Sequence, residues 1–357
     1  MKEKEFPIFK TKTPGVAERF NLDDPVERRR YFEAKAGPEV EKLRDWVRNN
    51  SFVAFLLGKK GSGKGTYTKL FMEIVGPEHV AHISVGDIVR SVHKELSDPS
   101  KKQELMEFLK KSYRGFLPIS RIFDVIEGRD VTTLLPTEVI LALVERQMDK
   151  IGRKSVFIDG FPRNLDQVSY SLYFRSLIGY RDNPDFFVFI DVPEQVIHER
   201  IITRVVCPKC QTPRTLKLLR TKQVGYDIDN KQFYLICDNP SCEPTRMVSK
   251  EGGELGIEGF RDRIEADEKV METLMRLEGV PQIFLRNSIP AELARQYADD
   301  YELTPSYSYK WHEDKKEVEV IEQPWIIKDD GGVPSNSLMA PAVALALIKQ
   351  IAQVLGL

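Results

Sequence analysis

Ser51-Phe52-Val53-Ala54-Phe55-Leu56-Leu57 runs without a break into Gly58-Lys59-Lys60-Gly61-Ser62-Gly63-Lys64-Gly65-Thr66. A continuous apolar run closed by glycine reads as a strand buried on both faces. Behind the loop, Tyr67 to Val75 carries a helical pattern. The glycines let backbone N–H groups turn inward, the helix N-terminus adds positive potential, and Lys64 supplies a mobile charge, which together make a cradle for phosphate groups. A glycine-rich turn without a ligand is the alternative; strand, loop, lysine and helix all in register argue against it. Most loops of this kind place Ser or Thr directly after the lysine, where the hydroxyl binds Mg²⁺. Here Gly65 holds that position and Thr66 comes one step later. Mg²⁺ is then expected on phosphate oxygens and on waters fixed to a carboxylate elsewhere. Asp159 and Asp191 each end an apolar strand, and position alone does not choose between them.

Comparable apolar runs follow at Val80–Ile83, Ser155–Ile158, Phe186–Ile190 and Trp325–Ile327, separated by helical patterns such as Glu138 to Lys150 and Glu194 to Arg204. Buried strands alternating with helices predict an α/β fold, a three-layer sandwich around a central parallel sheet. A helix is also predicted from about Pro38 to Asn49, with Val40, Leu43, Trp46 and Val47 at helical spacing, and another from Pro341 to Leu355 with proline in its first turn. Three stretches break the rhythm: 91–133 is charged and helical in texture, 207–250 holds all the cysteines, and 286–324 is polar and rich in Tyr and Pro.

Lys+Arg 53 against Asp+Glu 54 gives a net charge of -1 over 357 residues. No global basicity points to nucleic acid and no acidic excess to a solvating tail. Met1 to Lys12 is charged and lacks the apolar core of a secretory signal. The longest apolar stretch, Pro341 to Ile348, is well short of the ~20 residues that span a bilayer. A cytoplasmic protein without a membrane partner is expected. In that compartment the four cysteines, in two close pairs, point to a metal more than to disulfides.

The motifs, in this order and spacing, resemble those of the adenylate kinase family. Gly58 to Thr66 is similar to its phosphate loop, including the Gly-Thr ending. Ile83-Ser84-Val85-Gly86-Asp87-Ile88-Val89-Arg90 resembles the opening of its monophosphate-binding region. Asp159-Gly160-Phe161-Pro162-Arg163, with Gln167 after it, is the most specific match. Glu199-Arg200-Ile201-Ile202-Thr203-Arg204 before Cys207 resembles the start of a zinc-bearing lid, and Phe260-Arg261-Asp262-Arg263-Ile264 its end. The resemblance implies a phosphoryl transfer from ATP-Mg²⁺ to a nucleoside monophosphate. In it, Gly58, Gly61, Ser62, Gly63, Lys64, Gly65, Thr66 and Arg200 hold ATP, with Arg200 against the donor base. Val85, Arg90, Gly160, Arg163 and Gln167 hold the acceptor: Arg90 and Arg163 its phosphate, Gln167 its base. Arg204 and Arg263 bridge the donor phosphates, and Asp159 fixes the metal's waters. Lys64, Arg163, Arg204, Arg263 and Asp159 form the catalytic set. The chemistry explains the residue types, because phosphoryl transfer asks for positioning and charge neutralisation, and guanidinium forks match phosphate oxygens.

Cys207-x2-Cys210 and Cys237-x4-Cys242 suit a tetrahedral, structural Zn²⁺ folding a small module. The four-residue gap of the second pair departs from the two-residue gap common in these lids and resembles the knuckle of zinc ribbons in nucleic-acid enzymes. The expected organisation is an N-terminal helical extension (1–50), core with the phosphate loop (51–90), an enlarged helical acceptor-binding arm (91–133), core (134–206), zinc-ribbon-like lid (207–250), and completion of the core (251–357) with 286–324 inserted. AMP is the favoured acceptor, since the Gln167 amide can both donate and accept along a purine edge. Val85 cuts against it, as this family's adenylate kinases usually have Thr there and its pyrimidine kinases Ala. CMP, UMP or another monophosphate is the alternative acceptor. A monomer is expected. A reading from a different class is a nucleic-acid-binding ATPase, which draws on Lys217, Arg220, Lys222, Tyr226, Phe233 and Tyr234 in the cysteine module.

Overall fold

The structure, a computed structural model, describes residues 6–127, 135–170, 182–249 and 255–357. Residues 1–5 of the lead-in, 128–133 of the acceptor-side arm and 250 of the cysteine module lie outside the described residues.

The opening strand, β1 (Val53–Gly58), is buried at every position. Its side chains alternate: Ala54 and Leu56 join the apolar cluster on one face of the sheet, while Val53, Phe55 and Leu57 join the cluster on the other. β2 (Val80–Ser84), β3 (Ser155–Asp159), β4 (Asp185–Asp191) and β5 (Gln282–Arg286) complete a five-stranded sheet in the order β5-β4-β1-β3-β2. Every pairing is parallel, so Gly58, Ser84, Asp159, Asp191 and Arg286 all end at one edge. That edge is where ligands bind in open α/β sheets. Trp325-Ile326-Ile327 is not a strand of this sheet. Ile326–Lys328 pairs antiparallel with Pro334–Ser337, which in turn pairs with Ser288–Pro290. The fifth parallel strand is instead the short Ile283-Phe284-Leu285 run inside β5, flanked by Gln282 and Arg286.

Helix α1 (Pro25–Asn49) starts well before Pro38. Asp24 caps it, its Oδ1 accepting from Val26 N at 2.9 Å and Glu27 N at 3.1 Å. The chain passes through Gly37-Pro38 as a kink, with Ala36 at φ -148°. Tyr31 and Phe32 before the kink and Val40, Leu43 and Val47 after it share one buried face. That face packs with α2 (Lys64–Val75) and the C-terminal helix (Ala340–Val354) on one side of the sheet. The other side is covered by the helices Thr137–Ile151 and Arg261–Met275. The arm after β2 is helical, at Val85–Glu95, Pro99–Ser112 and Ile119–Ile126, with its own small core of Val92, Leu105, Leu109, Ile122 and Phe123. The cysteine module carries a three-stranded sheet and the hairpin Val224–Asp227/Gln232–Leu235 around a core of Val205, Cys207, Leu235, Cys237 and Met247. Among the described residues no helix is long and apolar enough to cross a membrane.

The lead-in and the polar stretch 286–324 are joined by a buried ionic knot. Lys35 Nζ donates to Glu302 Oε1 at 2.8 Å and to Asp299 Oδ2 at 2.7 Å, Tyr31 Oη donates to Glu302 Oε1 at 2.6 Å, and Thr11 Oγ1 donates to Glu302 Oε2 at 2.7 Å. The side chains of Lys35 and Glu302 have no exposure at all. Removing one partner of such a pair leaves an uncompensated buried charge. Lys35→Met should therefore lower unfolding free energy in urea by about 3–5 kcal/mol; a loss below about 1 kcal/mol, the range of exposed pairs, would contradict this role.

Candidate functional site

The phosphate loop takes its shape from two left-handed glycines, Gly61 at φ 87° and Gly63 at φ 97°. A Cβ on Gly58 would stand 2.8 Å from Ser62 Oγ and 2.9 Å from the Ile190 carbonyl oxygen, so the strand can turn into the loop only without a side chain. Lys64 curls back over this loop, its Nζ donating to Gly58 O at 2.7 Å and Lys59 O at 3.3 Å. Thr66 lies in the first turn of α2 and Gly65 beside it.

Asp159, at the end of the neighbouring strand β3, brings Oδ1 to 3.9 Å from Lys64 Nζ and Oδ2 to 3.9 Å from His82 Nε2. The chain then turns through Gly160, at φ 85°, and Arg163 folds back with its Nε donating to Gly160 O at 2.9 Å. A Cβ on Gly86 would meet Arg163 Nη2 at 3.2 Å and Arg90 Nη1 at 3.4 Å, so these two guanidinium groups share the space above that glycine. Arg90, itself exposed, also pairs with Asp87 one turn earlier. Arg263 comes from a separate element, the helix Arg261–Met275, with its Nε donating to Asp267 Oδ1 at 2.8 Å. Burial pulls the Lys64 ammonium below its ordinary pKa; Asp159 and Asp267 pull it back, and Arg263 and Arg163 push it down further. Arg163 is likewise lowered by burial and then by Arg263, against Asp159 and Asp267. Lys64, Arg163 and Arg263 thus feel one another across a single cleft.

The remaining residues divide. Arg200 flanks the loop, its Nη2 donating to Asn287 Oδ1 at 3.4 Å, beside Tyr67. The Tyr67 ring in turn lies against Gly63. Asp191 is on the far side of the loop, where burial raises its carboxyl pKa and Lys59 counters it. Gln167 is buried, its Oε1 accepting from Arg163 N at 2.8 Å and its Nε2 donating to Thr137 Oγ1 at 3.1 Å, so in this arrangement it braces the Arg163 turn. Val85 is buried in the core beneath the cleft. Arg204 stands apart, exposed at the first position of the strand Arg204–Val206. No charged neighbour contributes to the downward shift that desolvation gives it.

In the cysteine module the four Sγ atoms of Cys207, Cys210, Cys237 and Cys242 lie within 4.8 Å of one another. Cys207 to Cys242 is 3.8 Å and Cys210 to Cys237 is 3.6 Å. Those are not disulfide distances. A tetrahedral ion with sulfur ligands at about 2.3 Å separates them by about 3.8 Å, so the donor set fits a bound metal. Cys210 is pulled down to about 6 through its contact with Thr212, while Cys242 is pushed up to about 12 by burial and by Cys210 and Cys207. Four thiols this close cannot all ionise unless a cation offsets them.

No family model matches the chain. Curated relatives do. The chain is 32% identical over 157 residues to an adenylate kinase of Thermotoga petrophila, a match spanning 43% of this chain and 59% of that protein. With an adenylate kinase of Staphylococcus aureus it is 31% identical over 239 residues, 62% of this chain and 98% of the relative. It is also 32% identical over 154 residues to the UMP-CMP kinase 2 of Oryza sativa subsp. japonica, covering 43% of this chain and 51% of the other. The chain belongs to the adenylate kinase family.

Several residues at the cleft of this adenylate kinase family member were not singled out by motif. Asp267 has one oxygen on Arg263 and the other, Oδ2, buried without a hydrogen-bond partner; Ser62 Oγ and His82 Nε2 are in the same condition. Buried polar atoms left unpaired call for an explanation, and a polar ligand is one that would supply partners. The signal for Asp267 was present in the sequence as an acid four residues after Arg263, on the same helical face. Lys59 carried no such signal. Its side chain is 2% exposed and its Nζ lies 2.6 Å from Asp330, 3.3 Å from Glu268 and 3.9 Å from Glu194. Burial works against its charge, and Asp330, Glu268 and Asp191 more than offset that. Asp330 Oδ1 also accepts from Glu194 N at 2.7 Å, which ties the phosphate loop to the turn 329–333 and to the helix bearing Arg200. Because the obstacle at Gly58 is partly the backbone of β4, Gly58→Ala should cost about 1–3 kcal/mol in urea unfolding. An unchanged midpoint would show that the loop tolerates a side chain there.

Proposed function

We propose that the protein is a nucleoside monophosphate kinase that moves the γ-phosphoryl group of ATP to AMP. What supports it most is the electrostatic coupling of Lys64, Arg163 and Arg263 at the sheet's C-terminal edge, where Asp159 and Asp267 are the leading opposing charges. An excess of half-buried cations needs a polyanion, and two nucleotides brought end to end supply one. On this reading the loop N–H groups and Lys64 hold the donor's phosphates. Arg163, fixed by Gly160 and Gln167, holds the acceptor's phosphate, with Arg90 beside it. Arg263, oriented by Asp267, faces the group in flight, and Arg200 with Tyr67 borders the donor nucleoside. Mg²⁺, when bound with ATP, neutralises phosphate oxygens. Asp159, beside Lys64, is the carboxylate that would hold its waters, since Gly65 offers no hydroxyl. The acceptor attacks in line, and exclusion of water from the cleft keeps hydrolysis from competing.

The contacts within the chain weigh against the nucleic-acid reading. Lys217 pairs with Glu199 at 2.9 Å, Arg220 lies over the Tyr307 ring at 5.1 Å, Tyr226 stacks on Trp311, Phe233 lies against Tyr309, and Tyr234 carries Arg246 at 4.2 Å. Nearly all the basic and aromatic groups it relied on are engaged within the chain. The acceptor is the point that stays divided, as the rice relative is named for UMP and CMP.

Arg163→Ala should lower ADP formation from ATP and AMP by about 10²–10³-fold, the cost of one preorganised charge-stabilising group. ADP appearing equally fast without any monophosphate would reject the reading. Turnover of AMP, CMP and UMP at one ATP concentration should favour AMP; a preference for CMP or UMP would move the assignment to a pyrimidine acceptor. The cysteine cluster is read as a structural Zn²⁺ site. Elemental analysis should find one zinc per chain, lost in Cys237→Ser, and full metal content in that variant would contradict it.

A further inference from the structure

Residues 305–324 form a long antiparallel hairpin, Pro305–His312 against Glu317–Pro324, that belongs neither to the sheet nor to the cysteine module. Its base is fixed to the core. Thr304 N donates to Ser337 O at 2.8 Å, Leu303 bridges Leu338, and Trp325 just beyond it is buried. Along its first strand, alternate residues fall on one face. Those residues are Tyr307, Tyr309 and Trp311, and all three meet the module. Tyr307 N donates to Lys217 O at 2.7 Å, and Tyr309 Oη donates to Leu216 O at 2.5 Å. Trp311 stacks on Tyr226 with centroids 5.1 Å apart and planes at 22°, and Tyr309 lies 5.5 Å from Phe233. Burial pushes both tyrosine hydroxyls up to about 12.

The module's own buried core is small, formed by Val205, Cys207, Leu235, Cys237 and Met247, so this aromatic face adds packing outside it. The contacts also fix where the module sits. In the arrangement they stabilise, Arg204 is exposed at the first position of its strand, whereas Lys64, Arg163 and Arg263 are half-buried. We propose that Tyr307, Tyr309 and Trp311 are positioning residues that dock the cysteine module on the hairpin and hold Arg204 away from the phosphate cleft. The hairpin thereby sets the affinity for the phosphoryl donor. This rests on the phosphotransferase reading for the identity of the ligand, though not for the docking itself. Contacts made in one arrangement only bias the population toward it, and a ligand favouring the other arrangement binds more weakly by that fraction.

The test is Trp311→Ala, with Trp311→Phe as the conservative variant. ATP binding is followed by titration calorimetry, and module motion by amide hydrogen exchange over 204–249. Loss of one aromatic stack should tighten ATP binding by roughly two- to tenfold. Amides of 224–235 should exchange faster without nucleotide, and Trp311→Phe should restore both. The KM for the monophosphate should stay unchanged, because the docking contacts named join the hairpin to the cysteine module and none involves Arg90, Arg163 or Gln167. Should Trp311→Ala fail to fold, Tyr226→Ala removes the same stack from the other side and must give the same two shifts. Unchanged or weaker ATP binding with faster exchange would overturn the proposal, showing that hairpin and module move as one body. A protein that binds ATP and phosphorylates no monophosphate would sink the transferase reading while leaving the exchange result to stand on its own.

Discussion

Positive charges crowded into a half-buried cleft repel one another, and that repulsion is the constraint on which this architecture turns. Lys64 and Arg163 both lie below their ordinary affinity for a proton, from burial first and from neighbouring guanidinium groups after it. Asp159 and Asp267 offset the excess only in part. A site of this kind is costly until a polyanion enters, and preorganised cations then act without further reorganisation. The parallel sheet makes the arrangement possible. Its strands are held on both faces, so the loops at their ends have little freedom to relax apart.

Around the cleft, further contacts fix the loop from behind and govern what approaches from above. Lys59 reaches Asp330, Glu268 and Glu194, which anchors the loop to the turn 329–333 and to both helices that flank the cysteine module. The knot of Lys35 and Glu302 joins the lead-in helix to the stretch that carries the aromatic hairpin. The extension and the insertion are therefore parts of one scaffold, which ends on the module bearing Arg204.

What could be read from sequence was local. The strand and glycine loop around Gly58–Thr66, the Asp159–Arg163 turn and the spacing of Cys207, Cys210, Cys237 and Cys242 each carry their chemistry within a few residues. The parallel layout followed from apolar runs buried on two faces. Reading failed where tertiary partners decide. The helical spacing places a start near Pro38, yet Tyr31 and Phe32 carry the helix back along the core through a kink. The apolar Trp325–Ile327 run went to a small antiparallel sheet because another three-residue run, Ile283–Leu285, already filled the edge beside β4. Tyr226 and Trp311, or Lys59 and Asp330, are pairings between distant segments that no local pattern announces. Asp267 was within reach of a helical-spacing argument from Arg263.

The most direct measurement is a structure of the protein with two adenosines joined by a chain of phosphates, which spans donor and acceptor positions at once. The phosphate chain should lie over Gly61–Thr66 with Lys64, Arg163 and Arg263 on its oxygens, and Arg204 brought in from the cysteine module to join them. A phosphate chain bound elsewhere, or bound here with Arg163 and Arg263 turned to solvent, would contradict the convergence of charge from which everything else was argued.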